Sequence, residues 1–348
     1  MTIAEHASEP ALTDDDARLW ITRCAVPTSV GLAVHHGWFE EEFAPDGLRV
    51  DYLPYLTSRE AQRRHYDHEL TTLLREGGNI PALWTRAKGE PTRLIGLTWI
   101  DERQVIVGHP GSEVASPADL RGKRLGIPLR GTESVDVFRG MALRGFAGAL
   151  ASAGLGLEDA TLVDVRSDGT VGGLANQWDP EFDALARGEV DVLYAKGAVA
   201  VDAVTSRGAR VVIELDHDVA PQFRINNGTP RPITAHQELL DTRPEVVERF
   251  LAVLLRAAQW GREHPDEITA VLAEETGADL QGAAGAYTAT SLAGFEPTLT
   301  PDRVGSLTRQ KDFLFAHGFL PGNFDVDQWV DEKPLLGAQD RLARAERR

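Results

Sequence analysis

Cysteine is almost absent: Cys24 is the single one in 348 residues, so the chain cannot close an internal disulfide and needs no oxidising compartment to fold. No run of about 18 apolar residues occurs either, which removes a membrane-spanning helix. Positive charge is in deficit. The 36 Lys and Arg face 53 Asp and Glu, for a formal charge of −17, which repels nucleic-acid phosphates and anionic membrane surfaces. The first twenty residues, MTIAEHASEPALTDDDARLW, lack a basic n-region, an apolar h-region and a small-residue cleavage site. The expectation is a cytoplasmic protein without nucleic-acid or membrane partners. Internal repeats and low-complexity tracts are lacking too.

What remains is a chain with 42% hydrophobic residues, able to bury a large core and long enough for two lobes. Residues 1–16 read as a polar, acidic mobile tail. RLWITR then reads as a buried strand running up to Cys24, with Pro27 marking a turn. A helix starts at Thr28 or Ser29, and LRVDYLPY forms a second strand, which predicts a β-α-β unit with parallel strands. Further along, the pattern predicts a helix around residues 58–76, a short strand ALWTRA, and strands TRLIGLTWI, QVIVGHP, RLGIP, ATLVDV and ARVVIEL. It also predicts a long helix from about residues 132–134, and a helix ending at Gly188. From about residue 242 the chain turns helical. The alternation gives an α/β fold class.

The phrases ASPADLRGKRLGIP (115–128) and ARGEVDVLYAKGAVAVDAV (186–204) resemble the second lobe of type II periplasmic solute-binding proteins. That resemblance implies a two-lobed α/β fold with the site in the cleft between lobes. Lobe I would be split between residues 17–105 and 220–348, and lobe II would be residues 106–219.

The segment RRHYDHELTTLLREGGNIPALW (63–84) supplies His65, His68 and Arg75 followed by a glycine pair, Gly77 and Gly78. Taken with Cys24 in its C-x-V-P setting, the interval from His65 to Arg75 and the run REGGNIPAL resemble the aromatic sulfinate desulfinases. QWGREH (259–264) and DQW (327–329) resemble the C-terminal helices of that family. The resemblance implies a hydrolase that splits the carbon–sulfur bond of an aromatic sulfinate, such as 2'-hydroxybiphenyl-2-sulfinate, and releases sulfite. It implies Cys24, His65 and Arg75 as catalytic residues, with Arg75, Gly77 and Gly78 binding substrate, and neither cofactor nor metal.

The residue chemistry fits that implication. A guanidinium grips a two-oxygen anion through two parallel charge-assisted hydrogen bonds, each worth roughly 1.5–3 kcal/mol. A thiol with a reference pKa of about 8.5 serves as thiolate nucleophile or as proton donor, and both roles stay open for Cys24. His65 can share its proton, and the Gly77 and Gly78 amides can approach an oxyanion closely. Each residue also has a plainer reading. Lone cysteines are commonly inert packing, His65 and His68 fit an exposed helix face, and Arg75 fits the negative end of a helix dipole. The pair His35–His36 lacks a matching carboxylate cluster for a metal. LRGTES (129–134) fits ordinary N-capping as well as anion binding, and Trp20, Trp38, Trp84 and Trp99 fit the core. Two other functions fit the fold: solute binding without chemistry, and thiamine-precursor synthesis, the latter weakened by the want of an iron-binding His or Cys motif.

Overall fold

The computed structural model describes residues 17–23, 26, 28–54, 63–64, 66–131, 134–167, 177–276, 280–287, 294–345 and 347. The tail read at residues 1–16 lies outside them. Ten strands form two five-stranded sheets. The first contains β1 (Arg18–Arg23), β2 (Arg49–Pro54), β3 (Leu73–Glu76), β4 (Thr92–Thr98) and β10 (Arg231–His236), in the order β2-β1-β3-β10-β4. The second contains β5 (Gln104–Gly108), β6 (Arg124–Arg130), β7 (Thr161–Ser167), β8 (Val192–Lys196) and β9 (Arg210–Glu214), in the order β7-β6-β8-β5-β9. The chain leaves the first sheet after β4 and returns to it as β10.

β1, β2 and β3 run parallel, and the helices Ser29–His35 and Trp38–Phe43 carry the crossover from β1 to β2. The Thr28 side chain accepts the Gly31 N–H at the start of the first of these, satisfying a donor that the helix leaves open. Both sheets are mixed, because β10 runs antiparallel to β3 and β4, and β5 runs antiparallel to β8 and β9.

Three local expectations are corrected. The helix expected over 58–76 gives way at its C-terminal end to strand β3, whose four residues are all buried. Between β1 and β10 the segment LLRE has a hydrogen-bonding strand along each edge, and tertiary pairing overrides its local helical preference. ALWTRA is no strand but part of the helix Asn79–Lys88, in which Pro81 sits within the first turn and Gly89, at φ 99°, ends the helix. Proline is tolerated there because first-turn amides have no intrahelical partner. The long helix spans Val137–Ser152, starting later than expected, because Asp136 is its N-cap and accepts the Arg139 N–H.

Two large apolar clusters fill the interior. One gathers Val105–Val107, Leu125, Ile127, Phe146, Trp178 and Tyr194 around the second sheet. The other packs Ile21, Leu74 and Ile233 of the first sheet against Val247, Phe250, Leu251 and Leu254 of the helix Pro244–Glu263. A small third cluster joins Trp20, Leu53, Leu70 and Leu73. Trp20 is fully buried, whereas Trp38, Trp84 and Trp99 are only half-buried.

Candidate functional site

Arg75 lies on β3 directly opposite Thr234 of β10 and is 1% exposed. It is a strand residue, so the reading of a cation at a helix end does not apply. The Nη2 group donates to the Gly78 carbonyl at 3.2 Å, folding the side chain back over the turn that follows. Gly77 makes this fold possible, since a Cβ there would stand 2.4 Å from the guanidinium carbon. A Cβ on Gly78 would similarly meet the Asn227 amide at 2.4 Å. The glycine pair is thus a close-packing device for Arg75 and Asn227. The Gly77 N–H, one of the two amides the sequence offered to an oxyanion, donates to Pro232 O at 3.2 Å.

Cys24 and His65 lie outside the described residues. The chain on either side of Cys24 is nonetheless tied to the residue after Arg75. Thr22 Oγ1 accepts the Glu76 N–H at 3.1 Å and donates to Glu76 O at 3.0 Å. The Glu76 carboxylate accepts the Val30 N–H at 3.1 Å and the Thr98 hydroxyl at 2.7 Å. Burial pushes the Glu76 carboxyl up, against the pull of the Arg231 charge. Glu76 was not singled out in the sequence, where a lone Glu beside an Arg carries no signal. In the fold it clamps both ends of the segment 23–29 to the strand that bears Arg75.

The turn after Gly78 is fixed by amides. Asn79 Nδ2 donates to Asn226 O at 2.6 Å and Pro230 O at 2.9 Å, while Asn79 Oδ1 accepts from Gln310 Nε2 at 3.1 Å. Asn227 accepts the Asn79 N–H on its carbonyl and the Ile80 N–H on its side chain. Asn226 Nδ2 in turn reaches Tyr194 and Gln104 of the second sheet at 3.0 and 3.2 Å. The Arg75 turn therefore shares a buried hydrogen-bond network with both sheets, and such networks fix geometry.

His68, which sequence reasoning left as an exposed helix residue, lies buried beside Arg75. It is 2% exposed, adopts φ 56°, rare for a residue other than glycine, and places Nε2 3.2 Å from Thr234 Oγ1, opposite Arg75 on the ladder. Burial, then the Arg75 charge, then His236 lower its pKa to about 3. A neutral, buried histidine with a left-handed backbone beside an arginine combines two features that cluster at functional sites. The only sequence cue was its three-residue spacing from His65.

The other marked segments do less. His36 stacks on Trp38 at 4.5 Å and meets Trp260 edge-on at 4.3 Å. No group of three His, Cys, Asp or Glu side chains suited to a metal occurs among the described residues. Near LRGTES, a surface hollow at the ends of β6 and β7 is lined by Leu129, Arg130, Gly131, Arg166 and Ser167. Its buried cation, Arg130, is already engaged by Glu181 through both guanidinium arms at 2.7 and 2.8 Å.

Residues 28–268, well over half of the chain, match one family along their length. The chain belongs to the NMT1/THI5-like family. Its relatives include the 2'-hydroxybiphenyl-2-sulfinate desulfinase of Rhodococcus erythropolis, 26% identical over 93% of this chain and 94% of the relative. The corresponding enzyme of Rhodococcus qingshengii has the same identity and coverage. Among solved structures, a cysteine-to-serine variant of the desulfurization enzyme DszB in complex with biphenyl-2-sulfinic acid superposes with a TM-score of 0.73. It is 24% identical, covering 93% of this chain and 99% of that one. The periplasmic sulfonate-binding protein SsuA of Methylobacillus flagellatus superposes with a TM-score of 0.72 at 17% identity, covering 95% and 96%. The fold of this NMT1/THI5-like chain is therefore the two-lobed α/β fold of periplasmic solute-binding proteins, as the phrases at 115–128 and 186–204 implied.

Proposed function

We propose that the chain is a cysteine-dependent desulfinase that hydrolyses the carbon–sulfur bond of an aromatic sulfinate, of the 2'-hydroxybiphenyl-2-sulfinate class, to sulfite and the arene. The observation that carries this reading is the buried Arg75 guanidinium, folded over Gly77 on the strand whose next residue, Glu76, clamps Thr22 and Val30 on either side of Cys24. Likeness to desulfinases over 93% of the chain supports it. A protein that only carried a sulfonate would need the cation but no cysteine.

In this reading Arg75 grips both sulfinate oxygens, a geometry that lysine cannot reproduce. Cys24 then acts in one of two balanced ways. As a thiolate it attacks sulfur, the C–S electron pair passes to the ipso carbon, which takes a proton, and water hydrolyses the sulfur-bound intermediate to the free thiol and bisulfite. As a thiol it gives its proton to the ipso carbon while sulfur dioxide leaves and is hydrated to bisulfite, whose released proton restores the thiol. His65 holds and returns that proton in either case. We place the reaction in the cytoplasm, where a reduced thiol persists.

The test is to incubate the purified chain with hydroxybiphenyl sulfinate and a panel of aryl sulfinates while measuring sulfite. Turnover removes the solute-binding alternative. Tight binding of a sulfinate with no sulfite formed removes the desulfinase.

A further inference from the structure

The desulfinase reading leaves a gap in the anion site. A sulfinate offers two oxygens with several lone pairs, of which the Arg75 fork fills one on each; one Nη2 hydrogen goes to Gly78 O and the Gly77 amide is committed to Pro232 O. A desolvated anion with unfilled acceptors is costly, so a further donor is required on the same face of the sheet.

Thr234 is the cross-strand partner of Arg75, and side chains directly opposite on an antiparallel ladder share a face. The His68 ring rests against Thr234 through Nε2 at 3.2 Å, while its Nδ1, buried, makes no hydrogen bond among the described residues. The ring is therefore held by one nitrogen beside Arg75 and has the other to spare. A buried nitrogen without a partner is rare in folded proteins and calls for a reason, as does the φ of 56° that sets the ring in place.

We propose, resting on the desulfinase reading, that His68 is a second ligand of the anion bound by Arg75, donating Nδ1–H to a sulfinate oxygen. The contact of Nε2 with the Thr234 hydroxyl can run in either direction; in this arrangement the hydroxyl donates to Nε2 and the ring carries its proton on Nδ1. Of the charged or titratable groups acting on the ring, Arg75 and His236 both disfavour the imidazolium. His68 is accordingly a neutral donor across the physiological range and does not compete with Cys24 and His65 for the transferred proton.

Binding of biphenyl-2-sulfinate by calorimetry and sulfite release are measured together on the wild type, His68→Phe, His68→Gln and Thr234→Val. A lost donor to a charged acceptor weakens binding, and raises KM, by about tenfold or more. His68→Phe is expected to show that loss with kcat less affected, His68→Gln to recover most of it through its amide, and Thr234→Val to fall between. Nitrogen-15 ring spectra of the wild type are expected to show a neutral ring whose Nδ1 resonance moves on sulfinate binding. That readout stands even if His68→Phe fails to fold. Unchanged binding in His68→Phe, or an Nδ1 resonance indifferent to sulfinate, overturns the proposal. If the wild type binds sulfinate without releasing sulfite, the desulfinase reading fails while the same variants still decide the role of His68. If the wild type binds no sulfinate, both fail.

Discussion

The two sheets treat buried polarity differently. In the second, apolar residues fill β5, β6 and β8, and its main buried ion pair, Arg130 with Glu181, is bidentate and complete. Other charges of this region pair at the surface, as Arg121–Asp159, Arg124–Asp191 and Arg139–Asp164 do, where each is worth little. In the first sheet, Arg75, Glu76, Thr98, Arg231 and Thr234 are all buried on three adjacent strands, with His68 packed beside them. The Nε of Arg231 and the Nδ1 of His68 lack hydrogen-bond partners among the described residues. Burying such groups lowers stability. Around the second sheet Arg144 Nε, Trp178 Nε1 and Arg224 Nε are buried without hydrogen-bond partners among the described residues too, but they are scattered, whereas the first sheet gathers a cation, a neutral imidazole and the anchors of the Cys24 segment on or beside adjacent strands.

The sharpest way to break this contrast is at Cys24. Cys24→Ser keeps the shape but loses most acidity and nucleophilicity, so sulfite release should fall by at least about a hundredfold with the melting temperature little changed. Full activity in the variant would remove Cys24 from the chemistry, and a lost fold would make it a packing residue. Arg75→Lys comes next. It keeps one charge but not the planar fork, so kcat/KM should drop by about tenfold or more, roughly 1.4 kcal/mol. Equal kcat/KM for the two proteins would sink the two-oxygen grip.

How far these sites could be read in advance depended on how local their signals are. The β1–helix–β2 unit was legible because alternation, Pro27 and the Thr28 cap all lie within a few residues of one another. The Arg75 and glycine-pair motif was likewise legible as a sequence run. Strand β3 was not, because four residues become a strand only when β1 and β10 pair with them, and β10 lies more than 150 residues away in the chain. Glu76 and His68 were illegible for the same reason. Their meaning rests on Val30, Thr98 and Thr234, partners that no local pattern announces. The role given to Gly77 as an amide donor was a local inference too, and Pro232 supplied the distant competitor.

Glycine offers a direct comparison of the two regions. A Cβ on Gly77 would stand 2.4 Å from the Arg75 guanidinium, and one on Gly145 would stand 2.2 Å from the Tyr194 ring. Gly77→Ala should push the guanidinium off its position, lowering kcat/KM about tenfold with a modest effect on melting, because the far end of a long side chain can move. Gly145→Ala drives a methyl into a packed aromatic core and should lower stability by about 1–3 kcal/mol while leaving kcat/KM of the folded fraction near normal. Sulfite assays and denaturant melts on both variants check this. A stability loss without an activity loss in Gly77→Ala would place that glycine with the second sheet.

The last expected effect concerns pH and touches stability alone. Asp216, packed against the second sheet, accepts the Gln104 N–H at 3.1 Å and faces Arg224 at 3.2 Å. Burial nevertheless raises its pKa to about 6. His68 is perturbed the other way, to about 3. A carboxyl whose folded pKa lies above its unfolded value binds the proton more tightly in the folded state. Its contribution to stability is full below about pH 4 and is lost as pH rises toward 6. A histidine with a lowered folded pKa contributes above about 6.5 and loses that contribution as pH falls toward 3. Asp216→Asn should therefore gain on the wild type between pH 4 and pH 7 by on the order of 1–2 kcal/mol. His68→Gln should gain on the wild type in the opposite direction, as pH falls from 7 to 4. Urea melts of the three proteins at pH 4, 5.5 and 7 read both slopes. If the two variants track the wild type in parallel, the opposed electrostatics of the two regions are absent. If the slopes cross as expected, burial acts on the Asp216 carboxyl and the His68 imidazole in opposite senses, destabilising the charged form of each.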